Sequence, residues 1–280
     1  MYNDYWGFVK KPFENTLDSD FLYYSPEHKE ALSRMVYVVR EHKSGFFLVG
    51  DYGTGKTFLT RALIKELPST EFKFALISNP RLDALELIGE IIYQLSGSFL
   101  SPKEVSKPEL LHTFSQIVEE NYYKQGLYLA IIIDEAQTVE ETELLEELRL
   151  LLNLQTDTNL FSLLLLGQLS FLEKIEKLPS LKQRLSIRFH LHPLDEVNTR
   201  NYIEHRLKVA GQDKKIFTDS AYKEIYSFSK GIPRQINNIC DLALLSGFIK
   251  QVKVIDKDIV FQAEKDLEGT FSFKEEGNND

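Results

Sequence analysis

The chain has 280 residues, 43% of them hydrophobic, and a formal charge of −9; it is long enough for one large domain and a smaller one, and too acidic for a general nucleic-acid coat. No run approaches the roughly 18 consecutive apolar residues of a membrane span, and residues 1–11 lack the basic start and apolar core of a signal peptide, so the expected compartment is the cytoplasm. Cys240, the single cysteine, excludes an internal disulfide, and the histidines show no metal-type spacing.

In chain order, residues 2–24 carry many aromatics without a period and read as an arm packed on the main domain. Pro26 suits the first turn of a helix running to Val39, with Leu32, Met35, Val36 and Val39 on one face. Residues 46–49 form the first strand, and after a glycine-rich loop a helix over 58–67 is halted by Pro68. A strand is expected at 72–77, a helix at 82–95, a Gly/Pro/Ser loop at 96–108 and a helix at 110–123. Residues 127–133 are almost continuously apolar, the mark of a parallel strand covered on both faces. A helix at 141–154, an apolar strand at 161–166, a charged helix at 169–178 and a short strand at 187–191 follow. This alternation implies a three-layer α/β domain over residues 1–192. Beyond Pro193 only helices are expected, over 196–209, 218–228, 234–246 and 256–267, making a small helical domain over 193–268. An acidic, loose tail at 269–280 closes the chain.

The loop Gly50-Asp51-Tyr52-Gly53-Thr54-Gly55-Lys56-Thr57 fits G-x-x-x-x-G-K-[ST] between a strand and a helix that opens with Phe58. Backbone N–H groups can surround a phosphate only where the chain turns tightly, which Gly53 and Gly55 allow. Lys56 supplies a mobile positive charge to the outer phosphates, and the Thr57 hydroxyl a magnesium ligand. Asp134 ends the apolar run Ile131-Ile132-Ile133, where open α/β sheets bind ligands, and can hold the magnesium beside Thr57. Glu135, next in the chain, is placed to polarise the attacking water.

Phosphoryl transfer relies on positioning and charge neutralisation, so further polar groups belong at other strand ends. Gln168, directly after the strand at 161–166 and Gly167, can hold the water or touch the terminal phosphate, or serve as a turn residue. Arg184 and Arg188, before and within the last strand, each offer a rigid fork to phosphate oxygens, and one delivered by a neighbouring subunit would tie hydrolysis to assembly. Arg234 opens a helix after Gly231-Ile232-Pro233, where its charge opposes the helix dipole unless an anion sits nearby.

With these residues in order, the chain resembles AAA+ ATPases and, more narrowly, the ATPase domain of the general secretion pathway A (ExeA-like) proteins over residues 1–268. Further matches are Pro12-Phe13, Phe21 to Pro26 with His28, Glu30, Ala31 and Leu32, Asp134-Glu135-Ala136-Gln137, Leu145 to Leu151, and Gly231 to Asn237. The resemblance implies a P-loop NTPase fold of the AAA+/ASCE type with parallel sheet order 5-1-4-3-2 and a helical lid. It makes Lys56 and Thr57 the Walker A pair, Asp134 and Glu135 the Walker B pair, Gln168 the first sensor, Arg184 the finger and Arg234 the second sensor. It further implies ATP and Mg²⁺, homo-oligomers in which Arg184 acts between subunits, and ATP-driven assembly of partner machinery associated with secretion or the envelope. Related transposition regulators share the architecture and bind duplex DNA, consistent with a basic excess over residues 173–215; a nucleotide-dependent binding switch is the third possibility.

Overall fold

The computed structural model describes residues 2–16, 18–98, 100, 105–139, 142–155 and 158–269. The chain divides into two compact units, one spanning Pro26 to His192 and the other formed by the segment up to Ser25 together with the segment from Pro193 on. Helix α1, Tyr2–Trp6, opens the second of these.

The α/β unit contains α2 (Pro26–Arg40), β1 (Gly45–Gly50), α3 (Lys56–Glu66), β2 (Phe72–Ile77), α4 (Ala84–Ser96) and α5 (Lys107–Glu119). After a π-helical turn at Glu120–Lys124 come β3 (Tyr128–Ile133), α6 (Thr142–Asn153), β4 (Phe161–Gly167), α7 (Leu169–Glu176), α8 (Pro179–Arg184) and β5 (Ile187–Leu191). The strands form one parallel sheet in the order β2-β3-β4-β1-β5, the expected order read from its other edge.

Burial explains why three strands could be read directly from apolar runs. Every residue of β1, β3 and β4 is buried, because these interior strands are covered on both faces. Alternate side chains enter two cores: Phe47, Ile131, Leu163 and Leu165 pack with residues of α4 to α8, whereas Phe46, Leu48, Ile132 and Leu164 pack with residues of α2 and α3. The edge strands β2 and β5 are only partly buried. Local signals fix the helix starts on the first face. Asp83 accepts from the backbone N–H groups of Leu85 and Glu86 while Glu86 reaches back to the Asp83 N–H, and Ser106 and Glu109 form a second capping box. The expected helix at 169–178 is α7, and a further helix that was not expected, α8, begins at Pro179, a residue suited to a first turn.

The second unit adds α9 (Glu196–Val209), α10 (Asp219–Ser229), α11 (Pro233–Ile249) and α12 (Lys257–Gly269), with a short parallel bridge between Phe217 and Ile255. The four expected helices are all present. The aromatic arm belongs here, and not on the α/β domain as expected from the sequence. Trp6, Phe8, Phe13 and Phe21 are buried with Tyr202, Phe217, Ile239 and Leu244, and the indole of Trp6 donates to the Leu244 carbonyl at 3.0 Å. Arg206 clamps the arm: buried to 2% exposure, its guanidinium donates to the carbonyls of Pro12 and Glu14 and to the Tyr202 hydroxyl, and stacks over Phe21. Gly231 sits at φ 77°, and a Cβ there would lie 1.8 Å from the Leu194 carbonyl oxygen, so only glycine fits this turn. The expected tail beyond Gly269 and residues 99 and 101–104 of the expected 96–108 loop lie outside the described residues.

Candidate phosphate-binding site

Because the strands are parallel, the chain leaves β1, β3 and β4 at the same edge of the sheet, which brings residues 50–57, 134–139 and Gln168 together. Gly50 ends β1 opposite Leu191, and a Cβ on it would lie 2.6 Å from the Leu191 carbonyl oxygen. Gly53 and Gly55 adopt φ 83° and 103°, the turns that let the loop double back into α3. The Thr54 hydroxyl donates to the Asp51 carbonyl at 2.8 Å, and the buried His28 imidazole bonds the Thr54 carbonyl at 2.9 Å through Nε2.

Lys56 is the first residue of α3 and only 5% exposed. Its ammonium donates to the carbonyls of Gly50 at 2.9 Å and Asp51 at 3.0 Å. Burial pushes its pKa down, opposed by the carboxylates of Glu135, Asp134 and Asp51. A buried cation at a helix N-terminus, bonded here to neutral carbonyls, is a site of positive potential suited to an anion.

Asp134 follows β3 and is 2% exposed. One carboxylate oxygen accepts the Thr57 hydroxyl at 2.6 Å and the other the Glu135 backbone N–H at 2.8 Å. Burial nevertheless raises its pKa, so a nearby cation would relieve the cost of keeping it charged. A hydroxyl and a carboxylate are hard oxygen donors, and no group of three or more His, Cys, Asp or Glu able to hold a metal occurs among the described residues. That donor set fits Mg²⁺, which completes its shell with water and substrate phosphates rather than a full protein cage.

Glu135 stands at φ 53°, a left-handed conformation uncommon for a non-glycine residue and frequent at functional sites. Gln137, which the sequence reading assigned no role, donates its side-chain amide to the Glu135 carboxylate and accepts the Gln168 backbone N–H at 3.0 Å. Gln168 itself caps α7. Arg184 ends α8 and donates to the Asn153 amide oxygen at 3.1 Å. Arg188 folds onto its own chain, donating to the carbonyls of Leu185 and Lys182, each at 3.3 Å. Arg234, the second residue of α11, is exposed and belongs to the helical unit. Tyr52 lies within the loop, 56% exposed, and Phe58 follows it in α3.

The parallel sheet, the phosphate loop after β1 and the acidic pair after β3 define an AAA+ ATPase domain, and a family model described as an AAA domain matches residues 39–175. The domain is homologous to general secretion pathway protein A of Aeromonas hydrophila: identity is 34% over 269 residues, covering 94% of this chain and 48% of that protein. The chain therefore spans about half the length of the curated relative it matches. Among solved structures, the ORC2 protein of Aeropyrum pernix superposes with a TM-score of 0.68 at 17% identity, over 93% of this chain and 72% of that one. Cdc6p of Pyrobaculum aerophilum gives 0.68 at 18% identity, over 89% and 70%. These likenesses establish the fold. AAA+ membership also implies dependence on ATP and Mg²⁺. No helix among the described residues is long and apolar enough to cross a membrane.

Proposed function

We propose that this domain hydrolyses ATP in a Mg²⁺-dependent manner and uses the cycle to assemble or remodel a partner complex. The observation that carries the reading is the 2.6 Å bond between Thr57 and Asp134, which places a hydroxyl and a buried carboxylate together beside the Lys56 ammonium. Residues 50–58 would bind the nucleotide, with the loop N–H groups and Lys56 holding its phosphates. Thr57 and Asp134 would hold Mg²⁺, which when bound neutralises phosphate charge. Glu135 would take the proton of the attacking water, with Gln168 positioning that water or the terminal phosphate.

Arg184 is the preferred finger. It leaves its α8 terminus toward an uncharged partner, Asn153, whereas Arg188 is occupied by backbone carbonyls of its own chain. On this reading Arg184 completes the site of a neighbouring subunit in a homo-oligomer, and Arg234 acts as second sensor. The likeness to general secretion pathway protein A supports a partner in secretion or envelope machinery.

Phosphate release tests the chemistry: Lys56→Ala should lose ATP binding, and Glu135→Gln should bind ATP with little turnover. Mixing Arg184→Ala with Lys56→Ala subunits should restore activity only if the finger acts between chains. Pull-down with the Glu135→Gln form held in ATP would capture the partner complex. ATP-dependent retardation of duplex DNA at low salt, with no protein captured, would instead make the load a nucleic acid.

A further inference from the structure

A closed circuit of hydrogen bonds surrounds Gln137, two residues beyond Glu135. Its side-chain nitrogen donates to the Glu135 carboxylate, and its side-chain oxygen accepts the backbone N–H of Gln168 at 3.0 Å. An amide used at both ends has one workable orientation. Flipping it would set oxygen against carboxylate and NH₂ against N–H, losing both bonds at once. Its backbone is held as well: the Lys174 ammonium donates to the Gln137 carbonyl at 3.1 Å and also to the Val139 carbonyl. Lys174 lies on α7, the helix that Gln168 caps, so both attachments of Gln137 lead to the same element.

The circuit bears directly on Glu135. A carboxylate acting as base must present one oxygen in a fixed direction, and a long side chain on a left-handed backbone has no regular element of its own to align it. Gln137 takes Oε2 of Glu135 and thereby sets the direction of the other oxygen. Through its second bond it refers that direction to the end of β4.

We propose that Gln137 is a positioning residue that locks the Glu135 carboxylate to the tip of β4 at Gln168, so that the base and the phosphate-facing end of β4 move as one piece. The inference rests on the proposed ATPase reading for its kinetic consequence, and on geometry alone for the coupling.

Two variants separate the contacts. Gln137→Ala removes both, whereas Gln137→Glu keeps an acceptor for the Gln168 N–H and replaces the donor to Glu135 with a like charge. Both should lower kcat at least about tenfold, with KM and the nucleotide Kd within about twofold, since the interaction serves the chemical step rather than binding. The nucleotide-free protein supplies an independent signature in ¹H–¹⁵N NMR. Glu135→Ala should shift the Gln168 backbone amide resonance, and the same substitution made in Gln137→Ala should leave it unmoved.

Unchanged or increased kcat in both variants, with Glu135→Gln still inactive, would overturn the positioning role. A Gln168 amide that responds equally to Glu135→Ala with and without Gln137 would overturn the coupling. If the wild-type chain turns over no ATP, the functional reading fails while the NMR comparison still decides whether Gln137 links the two residues.

Discussion

The Thr57 hydroxyl donates to the Asp134 carboxylate at 2.6 Å, joining the start of α3 to the end of β3 across 77 residues of sequence. Both oxygens belong to a magnesium site in the proposed mechanism. Thr57→Ser keeps the donor and should retain the Mg²⁺ dependence of nucleotide binding. Thr57→Ala should raise the Mg²⁺ concentration needed for half-maximal binding by roughly tenfold or more, the scale typical of lost support around a metal. Nucleotide titrations at a series of Mg²⁺ concentrations make the comparison, and equal curves for the two variants would remove Thr57 from the site.

Gly50 is a packing requirement before it is a phosphate contact. A Cβ 2.6 Å from the Leu191 carbonyl oxygen forces β1 and β5 apart at the root of the loop. Gly50→Ala should therefore destabilise the nucleotide-free protein by about 1–3 kcal/mol, the usual cost of overpacking, as well as weaken nucleotide binding. Denaturant melts measure the first effect without any ligand, and an unaltered midpoint would show that the strands yield at no cost.

His28 makes the phosphate loop sensitive to acid. Burial holds its imidazole pKa below the ordinary value, opposed first by the hydrogen bond to the Thr54 carbonyl and then by the Glu27 carboxylate. Above the unfolded value, near 6.5, the ring is neutral in both states. As pH falls through that value the unfolded chain takes up the proton first, and stability is lost until pH passes the lower folded value. His28→Gln, which can still donate to the Thr54 carbonyl, should flatten the decline of Tm between about pH 6.5 and 5. His42, His190 and His205, also held low chiefly by burial, leave a residual slope. A slope identical to wild type would assign the acid sensitivity elsewhere.

Arg206 should matter more than its position on a helix surface in sequence would suggest. Arg206→Ala deletes bonds to Pro12, Glu14 and Tyr202 and leaves buried acceptors behind, a loss of roughly 3 kcal/mol or more. Because its hydrogen-bond partners are neutral, added salt should not reproduce the effect. Arg206→Lys cannot span the three acceptors and should recover little. Limited proteolysis should cut the arm faster in both variants, and an arm equally resistant in Arg206→Ala would show that its aromatics suffice to hold it.

The phosphate loop and the acidic pair were legible because each joins a local motif to a strongly apolar strand, and the interior strands β1, β3 and β4 carry that signal in continuous runs. Sheet order was not readable from pattern, since apolar strands carry no label for their neighbours; it came from the resemblance. Helix α8 was missed because a six-residue helix after Pro179 is too short to show a period. The five-residue α1 was missed for the same reason, and its arm was misassigned because aromatic composition records the need for a core but not which core. Gln137 was invisible as a contact: its two partners lie two and 31 residues away, and only the return of β4 beside β3 unites them.

The helical unit is assembled from both ends of the chain, with residues 26–192 as an uninterrupted insert between its two parts. During synthesis, Trp6, Phe8, Phe13 and Phe21 are made first, yet Arg206 and α11, which help to bury them, are made about two hundred residues later. At the 5–20 residues per second of translation, these aromatics wait for roughly 10–40 seconds without their native core. A fragment ending at His192 would carry them permanently unpaired, so an isolated ATPase domain should begin at Pro26 rather than at the first residue.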